Sequence, residues 1–428
     1  MKFYIETYGC QMNVSDSELI TTILIKDGYA QANSIDDADV ILFNTCSVRA
    51  HAEERVLGRI TNEQYRRNQK PELKIGILGC MAQRVGKRLL EQGIGIDFAV
   101  GVDNYHKLPM IITGTDNEAL DFDQSQNYDA MIPTHANGVC GFVTIMRGCD
   151  NFCTYCIVPH VRGRERSRSL EDIRQDIIIA VQQGVKDITL LGQNVNSYSH
   201  NGMSFAKLLE TLGDIDGVLR YRFVTSHPKD LSDDLIRVMQ SSHKICEHIH
   251  LPMQSGDDTI LNRMNRYYDY NTYLKRIHAL RKAMPEIAIT TDLIAGFPGE
   301  TEEQFEATLN AMREIEFDYA FCFKYSPREG TTASNYADQI SEATRLARLQ
   351  KMIDLQREIT LRKFKAQIGK TVEVLIEDYS KKSKEQVSGK TRDYKIAVLD
   401  GKIEQVGTLV SAKVADATAG TLLCASTC

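Results

Sequence analysis

At 428 residues, with 43% hydrophobic and 25% charged side chains, the chain has length for two or three domains with real cores. The opening MKFYIETYGC lacks a basic segment followed by an apolar run, and no apolar stretch approaches bilayer length, so no leader, no membrane association and a cytoplasmic setting are expected. A net charge of −6 leaves nucleic-acid binding to local basic patches, and eleven cysteines without a secretion signal argue for metal or redox chemistry over a disulfide framework.

Residues 1–120 read as alternating strand and helix: KFYIETYG, ADVILFNT and LKIGILG are the strands, each followed by a helical pattern. Such alternation predicts βαβ units and a parallel sheet. Cys10, Cys46 and Cys80 each fall just past the carboxyl end of a strand, and in a parallel sheet these ends share the edge where ligands bind. Three buried structural cysteines are the bland alternative. Matched placement at three strand ends favours a three-thiolate site. Residues 121–138, which include DQSQNYDAMIPTHANG, are polar and turn-rich and read as a linker.

Residues 139–365 resume the alternation with six candidate strands: FVTIM, ITLLG, YRFVTS, HIHLP, AITTDLIAG and DYAFCFKYS. Six βα units predict a partial, open version of a parallel (βα) barrel, with its chemistry on loops at the carboxyl ends of strands. The loop after the first strand is RGCDNFCTYC, which carries Cys149, Cys153 and Cys156. That spacing lets three thiolates converge from one loop, and soft thiolates favour iron–sulfur or zinc. Zinc would recruit a fourth ligand such as Cys140 or His160 and close the site, whereas an iron–sulfur cluster can leave one iron open.

A long helical pattern at 342–369 leads into residues 366–428, whose short β-type runs predict a small antiparallel β-barrel. Residues 381–395 hold six Lys/Arg against two acids, a basic hairpin expected to face nucleic acid.

RGCDNFCTYCIVPHVRGRERSR closely resembles the signature of radical S-adenosylmethionine (SAM) enzymes, specifically the methylthiotransferases. The resemblance extends over essentially the whole chain, through YGCQMN, NTCSVR and LGCMAQ, then LLGQNVN, TSHP, HLPMQSG and GFPGET, to a TRAM-like C-terminal barrel that binds RNA. It implies a radical-SAM barrel in which Cys149, Cys153 and Cys156 hold a [4Fe–4S] cluster whose open iron is chelated by SAM. It implies a second, auxiliary [4Fe–4S] cluster on Cys10, Cys46 and Cys80 that supplies sulfur. The activity implied is abstraction of a hydrogen by a 5′-deoxyadenosyl radical, followed by sulfur insertion and methylation. GCQMN with NTCSVR resembles the branch acting on N6-isopentenyladenosine next to the anticodon of tRNA, at C2. Sister branches act on threonylcarbamoyl-adenosine or on a ribosomal-protein aspartate, and a zinc- or RNA-binding scaffold is the non-catalytic alternative. An electron donor such as flavodoxin or ferredoxin, and a monomeric enzyme, complete the expectation.

Among the remaining residues, Tyr155 lies between two cysteines, where it either packs the loop or lies against adenine. Gly192, Gln193 and Asn194 follow the second barrel strand as a turn that admits the methionyl group, or as a plain strand–helix turn. Ser226, Gln254 and Asp292 lie at strand ends as further SAM contacts, and Gly296–Glu300 is either a cofactor loop or a turn. Arg147, Arg162, Arg164, Arg166 and Arg168 flank the cluster and Arg49 follows Cys46. Beside a site that admits a polyanion they are candidate phosphate contacts. His248 and His250 read as core histidines, and Cys140, Cys246, Cys322, Cys424 and Cys428 as non-ligands, the last two in a loose tail.

Overall fold

The computed structural model describes residues 1–47, 50–128 and 138–426. The N-terminal sheet runs Ala30–Gln31, Lys2–Tyr8, Val40–Thr45, Lys74–Leu78, Phe98–Val100, Glu118–Ala119 from edge to edge, and every pairing is parallel. All six residues of Val40–Thr45 are buried, as a strand covered on both faces requires. Alternation sorts its side chains. Leu42 packs with Leu19 and Ile20 of the helix Gln11–Lys26, while Ile41 and Phe43 pack with Val56, Ile60, Val85 and Leu89 from helices on the other face. The three strands that precede the cysteines therefore stand side by side with their carboxyl ends on one edge.

The stretch expected to be a linker begins as part of this unit. Tyr128 is buried, its hydroxyl donating to the Val102 carbonyl at 2.9 Å and accepting from the Tyr105 N–H at 2.9 Å. Residues 129–137 lie outside the described residues.

The central unit has six strands in sequential order. Cys140–Thr144, Asp187–Leu191 and Arg220–Phe223 form one parallel sheet; His248–His250, Ala288–Ala295 and Tyr319–Lys324 form another, and a Tyr221–Ile245 bridge joins them. Among the described residues the first and sixth strands do not pair, so the barrel is open on one side. Helices cover the outside, where Ile173, Leu209, Ile277 and Met312 share a core with Ile188, Leu190, Ile289 and Leu293. The first strand ends at Thr144, two residues earlier than FVTIM implies, because Met146–Arg147 turns to pair antiparallel with Arg166–Ser167.

Five strands close the C-terminal barrel in the order Thr371–Ser380, Ser383–Thr391, Ile396–Asp400, Leu422–Ser426, Leu409–Ala417. Four of the joins are antiparallel; Ile396–Asp400 meets Leu422–Ser426 in parallel, and that join closes the barrel. Cys424 is part of this last strand, half-buried, rather than of a loose tail; Cys428 lies outside the described residues.

The basic hairpin divides its charge. Lys381, Lys382 and Lys384 are exposed at its tip. Arg392 turns inward to Glu247 (2.7 Å) and to the carbonyls of His243 and Ile245, and Lys395 is buried within 3.4 Å of Asp318. Tyr394 stacks on His248 with ring centres 4.8 Å apart, and the Arg222 guanidinium lies 5.0 Å from the centre of the Tyr394 ring. Glu247, His248 and Asp318 mark the amino ends of barrel strands, so the small barrel closes the end opposite the cysteine loop. Arg392 and Lys395, expected to face nucleic acid with the rest of this hairpin, are instead turned into the protein. Among the described residues no helix is long and apolar enough to cross a membrane.

Candidate functional site

The cysteine loop of the central barrel is built on strained and pinned backbone. Gly148 has φ +76, and a Cβ there would lie 2.0 Å from the Arg164 carbonyl oxygen, so the turn accepts only glycine. Phe152 also has positive φ (+46). The loop is held from residues 263–268: the Thr154 N–H donates to the Met264 carbonyl (3.1 Å), and Asn265 Nδ2 donates to the Asn151 and Phe152 carbonyls (3.3 and 3.1 Å). Buried Arg266 places Nη1 3.4 Å from Cys153 Sγ. Cys149, Cys153 and Cys156 are all free thiols. Burial pushes Cys149 up to about 11 and Cys156 to about 12, so without a bound cation these thiols keep their protons.

The N-terminal cysteines gather at the amino ends of helices. Cys10 caps Gln11–Lys26, Cys46 directly follows Val40–Thr45, and Cys80 lies in the first turn of Gly79–Glu91. A hydrogen bond with Cys46, reinforced by the Arg162 charge against the effect of burial, holds the Cys10 thiol down to about 6. Cys80 is raised by burial, and Arg162 opposes the rise. Arg162 Nε lies 3.2 Å from Cys80 Sγ and its Nη2 2.7 Å from Asp16 Oδ2. Arg162 ends the short helix Val158–Arg162 that begins two residues after Cys156. One loop thus carries three cysteines and also reaches the other set.

Both sets suit an iron–sulfur cluster by donor chemistry: three free thiols each, with a buried guanidinium beside one sulfur. Arg162 Nη1 is buried with no partner among the described residues, a donor suited to an anionic group. Among those residues no three His, Cys, Asp or Glu side chains close around a single ion. Thiolates that bind separate irons of one cluster need not converge so tightly.

Around the barrel mouth, Gln193 Oε1, Asn194 Oδ1 and Ser226 Oγ are buried and unpartnered among the described residues, as is His227 Nε2. Buried polar atoms at successive strand ends are the acceptors and donors that a polar cofactor would satisfy. Thr225 (φ +67) and Gln254 (φ +71) hold left-handed backbone at the same strand ends. Such conformations in non-glycine residues concentrate at ligand sites. The Gln254 N–H donates to the Asp292 carbonyl (2.9 Å), and the Asp292 carboxylate lies half-exposed 3.5 Å from His250 Nε2. Tyr155 meets Phe297 edge-on at 6.5 Å. Gly192 answers to packing: a Cβ would fall 2.4 Å from Met146 Cγ, so its small size serves the strand–turn contact. Glu300 is buried and paired with Arg348 while accepting from the Gly296 N–H, which makes Gly296–Glu300 a braced turn.

The arginines expected at phosphates are mostly turned inward. Asp16, fully buried, pairs with Arg147 (3.0 Å) and Arg162 (2.7 Å), and Arg147 also lies over the Tyr128 ring. Arg166 grips Asp103 through both oxygens (2.8 and 3.0 Å), and Arg168 is buried against Asp176 at 2.6 Å. A guanidinium buried against a carboxylate is not free for a polyanion, so Arg147, Arg162 and Arg166 join the two units instead. Arg164 alone of this group is exposed, beside Asp150 and over the Phe152 ring. Arg49 lies outside the described residues. His248 and His250 share Thr290 as partner. Asp16, Thr225 and Arg266 carry no spacing signal that would have singled them out.

The chain matches three family models: the radical SAM superfamily over residues 143–312, uncharacterized protein family UPF0004 over 2–101, and the TRAM domain over 365–423. It is 46% identical to a tRNA-2-methylthio-N(6)-dimethylallyladenosine synthase of Parabacteroides distasonis, covering 98% of this chain and 94% of the relative. A protein of the same name from Thermoanaerobacter sp. is 45% identical, covering 98% and 91%. In fold it is similar to the radical SAM methyltransferase TsrM from Kitasatospora setae, with TM-score 0.62 and 13% identity over 78% of this chain and 74% of that one. Membership of the superfamily implies SAM and a [4Fe–4S] cluster. With three-cysteine sets at two sheet edges and near-complete coverage of these relatives, the chain belongs to the radical SAM tRNA methylthiotransferase family.

Proposed function

We propose that this chain converts N6-isopentenyladenosine next to the anticodon of tRNA to its 2-methylthio derivative. The observation that carries the proposal is the pair of three-cysteine sets, joined by Arg162 from the loop of one to Cys80 of the other. Cys149, Cys153 and Cys156 would hold the radical-generating [4Fe–4S] cluster, and Cys10, Cys46 and Cys80 an auxiliary one. When bound, these groups and SAM supply a radical able to take hydrogen from C2 and the sulfur that replaces it.

The protein's own part is positioning. Tyr155, Gln193, Asn194, Ser226, Gln254 and Asp292 would bind SAM, with Gly192 keeping the turn narrow. Arg266 and Arg162 offset negative charge at Cys153 and Cys80. The loop 149–156 is held in place by hydrogen bonds from 263–268, which fixes where its three cysteines stand. Arg164, Arg49 and the exposed Lys381, Lys382 and Lys384 would meet RNA phosphates. A chain whose first unit extends to at least residue 128, followed by units 139–365 and 366–428, working as a cytoplasmic monomer with flavodoxin or ferredoxin as reductant, accords with this reading. Nucleoside analysis of tRNA from a deletion strain tests it. Loss of 2-methylthio-isopentenyladenosine with accumulation of the unthiolated nucleoside is expected; an unchanged profile would contradict it.

A further inference from the structure

The sixth barrel strand, Tyr319–Lys324, leaves a row of aromatic rings in solvent. Tyr319, Phe321 and Phe323 are 47%, 44% and 39% exposed, and their spacing of two puts them on one face. The strand is the edge of its sheet, on the open side of the barrel, and the helix Glu342–Lys365 packs against it. Single exposed apolar residues are ordinary, but a contiguous row marks a binding surface.

The row connects places that the reaction needs. Tyr319 follows Asp318, which pairs with Lys395 of the C-terminal barrel. Phe321 stands opposite Asp292 in register and meets His250 edge-on, with ring centres 5.9 Å apart. Phe323 stands opposite Ile294, which packs in the cluster that includes Phe297 and Tyr155 of the cysteine loop. Beyond the strand, Glu329 pairs at 3.2 Å with Arg88 of Gly79–Glu91, the helix whose first turn carries Cys80. The track thus runs from the end closed by the C-terminal barrel to the end that carries the cysteine loop.

We propose that Tyr319, Phe321 and Phe323 form a stacking track for the target nucleoside: an unpaired purine whose N6 carries an apolar branched chain, drawn out of an RNA loop. The proposal rests on the functional reading above and assigns its recognition surface. Enzymes that do chemistry on a base take it out of the stack, and single-stranded RNA is gripped by stacking splayed bases on aromatic rings. Every base offers a π face, and an alkyl chain on N6 adds apolar area that only an apolar surface rewards. A carboxylate, Asp292, at the middle of the row disfavours phosphate there, so the base rather than the backbone lies on the track.

Fluorescence anisotropy at fixed salt, with a synthetic anticodon stem–loop carrying adenosine or N6-isopentenyladenosine, tests the track. The wild-type protein is expected to prefer the prenylated RNA. Phe321→Ala and Phe323→Ala are each expected to weaken it about tenfold or more and to erase most of the preference. Phe321→Tyr keeps the ring and is expected to retain binding, whereas Phe321→Leu keeps apolar area without the ring and is expected to lose it. Melting midpoints control for folding, and Phe321→Leu, which keeps most of the apolar contact, is expected to melt close to the wild type while losing the RNA preference. Alanine variants that retain wild-type affinity and preference would overturn the track while leaving the function intact. A wild-type protein without preference for the prenylated RNA would also overturn the track, whereas the function falls only with an unchanged nucleoside profile in the deletion strain.

Discussion

Asp16 fixes how the two cysteine sets sit relative to each other. Burial alone would raise its carboxyl, but the guanidiniums of Arg162 and Arg147 outweigh that and hold it below 3.8. The group therefore binds its proton less readily folded than unfolded. Its contribution is complete above about pH 4 and is lost as pH falls through the depressed folded value. Asp16→Asn leaves two buried guanidiniums short of a counter-charge and is expected to cost about 3–5 kcal/mol. Thermal melts across pH check this: a large drop in midpoint at pH 7 and a weaker acid dependence are expected. Nothing in GCQMNVSDSEL announces the role, because Asp16 looks like an ordinary residue in the first turns of an amphipathic helix. Its partners come from another unit, and only tertiary folding brings them near. The cysteines were legible for the opposite reason, since a cluster needs one residue type at set spacings.

At the scale of elements, hydrophobic period located three strands of the N-terminal sheet and all six of the open barrel, because buried parallel strands are written as β-rich apolar runs, whereas the three-residue strand Phe98–Val100 is too short to show a pattern. Direction of charge was not written there. A lysine in 381–395 looks the same whether it faces solvent or a carboxylate, and only the docked barrel separates Lys381 from Lys395. The docking itself is polar: Arg392 holds Glu247 and two carbonyls, while Arg222 donates to the carbonyls of Thr391 and Arg392. Arg392→Ala is expected to loosen the small barrel by about 1–3 kcal/mol, the scale of hydrogen bonds to charged groups. Limited proteolysis checks it, with faster cleavage near residues 366–370 expected and the iron content of the remaining unit unchanged.

Across the whole molecule, the parallel N-terminal sheet and the open six-stranded barrel bring their carboxyl-end loops together, and the C-terminal barrel closes the far end. The chain order of three units was readable from changes in period, whereas the contact between them was not, since it runs through Arg147, Arg162 and Arg166, residues that resemble a solvated basic run. The proposed chemistry requires one chain to carry two clusters, each on its own three cysteines. Iron and sulfide quantitation after anaerobic reconstitution tests this most directly. About eight irons per chain are expected, falling to about four in Cys10→Ala and to about four in Cys149→Ala. About four irons in the wild-type chain, or one variant that loses all its iron while the other loses none, would contradict a two-cluster chain.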